Sequence, residues 1–171
     1  MSLFKSREER QAARRVRQEQ REAQQAAEQL LERERLERFM EHEQLLTTAA
    51  GIASLDLVCH RDTWLWIYRW CIIWEKTKAK AQDSIRSAAP DDPNVLTVAL
   101  SGPVLVNIMS RLYWHQKSED QERRIFGTRF YAAFVAVVSQ VDPAAAPGTA
   151  VPPVVIDAKA VPAATDEPHA S

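Results

Sequence analysis

The residues best equipped for chemistry gather in one short stretch: Asp56, Cys59, His60 and Asp62. On a helix, Asp56 and His60 share a face because they are four apart. A carboxylate one turn from an imidazole is half of a metal site or an acid–base pair. The other half is not legible. A zinc site needs about four ligands, and beyond this stretch the central region adds His115 as a donor. Cys59 and His60 are adjacent, so on a helix they point about 100° apart and form no nucleophile–base pair. The four glycines, at 51, 102, 127 and 148, are too scattered for a phosphate loop, and no G-x-S-x-G, H-E-x-x-H or Walker pattern occurs. The expectation is a protein that is not an enzyme, with no catalytic residues, no metal site and no cofactor. The Asp56–His60 pair then reads as a contact tying a helix to its neighbour.

Residues suited to association are more prominent. Thr63–Trp74 holds Trp64, Trp66, Trp70 and Trp74, and is apolar all round if helical. Trp66, Trp70 and Trp74 are the expected association residues, since exposed aromatic clusters mark interaction surfaces. The belt runs on into Lys76, Lys78 and Lys80, the order of an interfacial membrane anchor, so Trp64–Lys80 also suits a peripheral membrane protein. A spanning helix is not expected: Ala49–Trp74 carries Asp56, His60, Arg61, Asp62 and Arg69, and Val95–Ser110 is short and broken by Gly102-Pro103.

The N-terminal segment offers charge instead. Residues 5–46 contain no Gly or Pro and are almost entirely Glu, Arg, Gln, Ala and Leu, which predicts one continuous helix. From Lys5 to Arg21 seven basic residues face three acidic ones, a net of +4; from Glu22 to Glu43 three basic face seven acidic, a net of −4. Two such helices laid antiparallel bring Arg14, Arg15 and Arg17 of one to Glu32, Glu34 and Glu37 of the other. The apolar stripe is thin, with Val16, Ala23 and Leu30 seven apart, and sustained heptads are absent, so a strong coiled coil is not predicted. The arginines also suit nucleic acid, but Glu8, Glu9 and Glu19 interrupt them and no aromatic ring is there to stack on a base.

These residues need elements to hold them. The pattern predicts an all-α chain of three parts: a long charged helix over 1–46 (a possible coiled coil), a Trp-rich helical bundle over 47–142, and a disordered Pro/Ala-rich tail over 143–171. Thr47–Gly51 reads as a joint, and one helix is expected over 52–88. Asp92 as N-cap and Pro93 at the first position predict a short helix over 93–100. A helix over 103–117 follows, with Leu105, Ile108, Met109 and Leu112 on its core face. The last helix, over 119–141, is expected to start at a Ser118/Gln121 capping box. Cys59 and Cys71 lie in apolar sequence, and no secretory signal is visible from Met1 to Arg10, so two buried thiols in a cytoplasmic protein, or within an assembled particle, are expected. The function this favours is a non-catalytic assembly or scaffold protein that self-associates or docks on a larger complex, in a bacterial, phage or plasmid setting on compositional style alone. The net charge of −1 gives no global field for anionic partners.

Overall fold

The computed structural model describes residues 7–72, 75–89, 92–142, 144 and 149–156. The elements run α1 (Arg7–Gly51), β1 (Leu55–His60), α2 (Arg61–Cys71), α3 (Glu75–Asp83), β2 (Ile85–Ala89), β3 (Asp92–Leu100), α4 (Gly102–His115), α5 (Gln121–Val138) and β4 (Val154–Val155). The fold is therefore α+β, and the all-α expectation is overturned by a four-stranded mixed sheet of order β2-β3-β1-β4. The chain divides into two compact units, residues 1–43 and 44–171.

In the second unit, the sheet exists because two segments alternate with period two. In β1, Leu55, Leu57 and Cys59 are buried while Asp56, Val58 and His60 are half-buried; in β3, Leu96, Val98 and Leu100 are buried in the same alternation. Antiparallel register sets Leu55 opposite Leu100, Leu57 opposite Val98 and Cys59 opposite Leu96. Each buried side chain thus meets a buried one across the ladder, which is the unit of sheet stabilisation. The helix expected over 93–100 fails for the same reason: its apolar residues alternate, and Val95, Thr97 and Val98 are β-branched. Asp92 does accept a hydrogen bond from the Asn94 amide, at 3.0 Å, but this local turn leads into a strand.

The single helix expected over 52–88 is instead strand, helix, helix, strand. His60 closes β1 and serves as N-cap of α2, its Nδ1 accepting from the Asp62 amide at 3.2 Å. β2 pairs antiparallel with β3 on the far side from β1. The joint expected at Thr47–Gly51 is helical, since α1 continues through Gly51 and Thr48 Oγ1 donates back to the Gln44 carbonyl at 3.2 Å. The helix expected from residue 103 starts at Gly102 as α4, with Ser101 as N-cap and Pro103 in its first turn.

Helices α2, α4 and α5 contribute Trp64, Ile67 and Cys71; Leu105, Ile108, Met109 and Leu112; and Phe130, Phe134 and Val138 to one core shared with the buried strand residues. Two glycines let backbones close in. A Cβ on Gly102 would sit 2.5 Å from the Ala50 carbonyl oxygen and 2.8 Å from that of Ile52; on Gly127 it would sit 2.7 Å from His115 Cβ. The segment expected to be a disordered tail also contributes to the sheet. Val154–Val155 form β4, parallel to β1, with Val154 opposite Leu57 and buried. Arg129 fastens the segment by donating to the Ile156 carbonyl at 3.3 Å.

Candidate association surfaces

The Asp56–His60 constellation dissolves once β1 is a strand. Four residues along a strand span about 13 Å, so carboxylate and imidazole do not meet. Asp56 lies 3.9 Å from Arg86 of β2, and His60 lies 3.5 Å from Asp62. Cys59 faces the core, away from His60. Among the described residues no cluster of three metal-ligating side chains occurs.

Cys71 is fully buried at the end of α2. Burial pushes its thiol up to about 12, against a smaller opposing pull from Arg111. Thiolate is the reactive form, so burial holds Cys71 in its less reactive state.

The tryptophans of α2 take three different positions. Trp64 is core. Trp66 is half-buried and lies edge-on to Phe126 and Phe130, both at 5.5 Å between ring centroids, and to His115 at 5.7 Å. Its Nε1 donates to Glu122 Oε1 at 3.2 Å. Trp70 is half-buried, with the Arg123 guanidinium 3.9 Å from its ring centroid and that of Arg69 at 5.0 Å. His115 Nε2 lies 3.3 Å from the Trp70 carbonyl. Both rings therefore spend much of their surface within the unit, bracing α2 on α4 and α5. Phe126 and Phe130 lie four apart on α5 and so share a face, whereas no pattern announces Glu122 or Arg123. Trp74 lies outside the described residues. Beside Trp66, Gln121, Glu122, Ile125 and Phe126 line a shallow, open depression. Among the described residues, the large exposed apolar side chains of this unit, Leu65, Trp114, Ile125 and Val155, come from four different elements.

The described residues of the first unit, 7–43, all belong to α1. Every side chain from Arg14 to Glu41 is exposed. Among them are Val16, Leu30, Leu31, Leu36 and Met40, each more than half exposed, and Phe39 at 40%. Arg14, Arg15 and Arg17 lie on the N-terminal half. Glu32, Glu34 and Glu37 lie on the C-terminal half, within ion-pair distance of arginines of their own helix: Arg33–Glu37 at 3.0 Å, Arg38–Glu34 at 3.9 Å and Arg35–Glu32 at 4.0 Å. Such exposed pairs contribute a few tenths of a kcal/mol each, roughly 0.2–0.5. They support helicity but do not replace a packed face.

The apolar residues of this helix form two stripes. At about 100° per residue, Val16, Ala23, Ala27, Leu30 and Leu31 fall on one side. Leu36, Phe39 and Met40 fall roughly on the opposite side. Among the described residues no helix is long and apolar enough to cross a membrane. The chain matches no protein-family model, no curated protein and no solved structure.

Proposed function

We propose that this protein is a non-catalytic assembly protein whose association element is α1. One observation carries the reading: a helix whose 28 consecutive side chains from Arg14 to Glu41 are all exposed carries Leu30 and Leu31 at the two edges of one apolar stripe and segregates its charge by halves. A helix meant only as a solvated spacer has no use for Leu30 and Leu31, and most helical stability in proteins comes from packing an apolar face. Trp66 and Trp70 support a different role from the one their composition suggests. Their rings are engaged by Glu122, Phe126, Phe130 and Arg123, which favours internal bracing over docking on a membrane surface.

The test is the solution mass of the full-length protein by light scattering on a sizing column. The wild-type chain is expected to exceed the monomer mass. The double variant Leu30→Gln/Leu31→Gln, altered at exposed positions with good helix formers, is expected to return it to monomer with the Trp emission unchanged. A monomer mass for wild type across the accessible concentration range overturns the reading. Recording absorbance at two ultraviolet wavelengths in the same run checks whether Arg14, Arg15 and Arg17 carry nucleic acid instead.

A further inference from the structure

Resting on that reading of α1, we infer that its partner is a second copy of the same helix, antiparallel, with the two-fold axis between Arg21 and Glu22. Orientation follows from charge. A parallel pair stacks Arg14, Arg15 and Arg17 on their own counterparts and sets the acidic halves together. An antiparallel pair lays the basic half of each helix, a net of +3 from Arg7 to Arg21 (six basic against three acidic), along the −4 half of the other, and like charges juxtaposed cost several kcal/mol where opposite ones attract.

Register follows from the stripe. Val16, Ala23 and Leu30 repeat every seven residues, with Gln20 and Ala27 filling the intermediate seam positions. Antiparallel seams mesh when the two kinds of seam position face each other, and laying the stripe on itself in this way puts Val16 opposite Ala27 and Gln20 opposite Ala23. Each layer then combines a larger side chain with an alanine, which keeps the helix axes evenly spaced. Gln20, the polar member of the seam between Val16 and Leu30, comes to lie beside the axis in both copies, and a polar residue inside an apolar seam is a known device for fixing register at a cost in stability. With the axis there, Arg14, Arg15 and Arg17 come level with positions 29, 28 and 26 of the other copy, so Glu28 lies beside this segment; Glu32, about 150° round from the stripe at 100° per residue, points away from the seam. Glu34, seven residues after Ala27 and so at the next seam position, ends the apolar run; Glu34 and Glu37 have their own arginines. Leu36, Phe39 and Met40, on the other side of the helix, take no part.

Cysteine cross-linking in the full-length chain tests both orientation and register. Cys59 and Cys71 are buried and do not compete. Val16→Cys and Ala27→Cys are made as separate variants, one carrying an affinity tag that shifts its size, and are mixed under mild oxidation. A disulfide requires Cβ atoms about 3.5–4.5 Å apart, so the mixed species is expected to dominate over either self-linked species. Dominance of self-linked Val16→Cys overturns the antiparallel orientation. A wild-type oligomer that Leu30→Gln/Leu31→Gln disperses, but in which no pair cross-links, overturns the register and leaves the assembly reading standing. A wild-type monomer removes both. Leu36→Gln/Met40→Gln is expected to leave the oligomer mass unchanged, and its dispersal by that variant overturns the assignment of the stripe.

Discussion

Single residues in this fold act mainly by what they exclude. Gly102 excludes a side chain where the first turn of α4 meets the carbonyls ending α1. A Cβ there is 2.5 Å from the Ala50 oxygen, a backbone atom that cannot swing aside. Gly102→Ala is therefore expected to destabilise the second unit by about 1–3 kcal/mol, the usual cost of overpacking, read as a lower midpoint in urea denaturation followed by Trp fluorescence. An unchanged midpoint would mean that the two backbones are not held this closely. Cys71 excludes charge. With its thiol pushed up to about 12 by burial, it stays protonated in the folded state at mildly alkaline pH, where an unfolded cysteine already ionises. An alkylating reagent is expected to leave Cys71 unmodified until the protein is denatured. The sign for stability follows: a group whose folded pKa is raised contributes fully below its unfolded value of 9.0 and loses that contribution as pH climbs toward 12.

Elements form here where local signals and pattern agree, and α5 shows how finely. Its N-cap is Asp120, whose carboxylate accepts from the Arg123 amide at 3.2 Å, while Ser118 Oγ accepts from the Asp120 amide. The Ser118/Gln121 box expected from sequence is displaced by two residues because the aspartate is the better-placed acceptor. Asp120→Ala is expected to cost about 1 kcal/mol, and Gln121→Ala less than about 0.5, by chemical denaturation; the reverse order would restore the box. The helices with a 3.6-residue repeat were legible: α1 from its composition, the core face of α4 from Leu105, Ile108, Met109 and Leu112, that of α5 from its phenylalanines. The strands are not legible in the same way, though β1 and β3 carry alternating buried residues. Two cues masked them. The aromatic run of α2 follows β1 without a Gly or Pro between them, so the helical pattern extends backward over the strand. Asp92-Pro93 opens a strand with the residue types that open helices. For β4 no cue existed beyond Val154 and Val155 themselves, because two residues set no period. At the candidate site, the charge halves and the leucines of α1 were visible in the sequence. The bracing of Trp66 and Trp70 was not, since it depends on Glu122 and Arg123, more than fifty residues away.

At the scale of the whole molecule, the two units carry different spectroscopic reporters, and this makes association separable from folding. All five tryptophans lie between residues 64 and 114, within the second unit, whereas α1 has none and supplies the longest run of helical backbone. Exposed side chains and i,i+4 ion pairs leave its helicity dependent on propensity and on whatever covers Leu30 and Leu31. If a second copy covers them, dilution removes helix from α1 while leaving the core around Trp64 and Phe134 intact. The expected outcome is a far-ultraviolet circular dichroism signal per residue that weakens on dilution, with Trp emission constant. Salt is expected to act in the same direction, because exposed charges on facing helices are screened beyond a Debye length of about 8–10 Å. Helical signal and Trp emission changing together would place the second unit in the interface as well. Neither changing over a range where the mass falls would mean that α1 holds its helix unaided, and that pairing contributes contact without order.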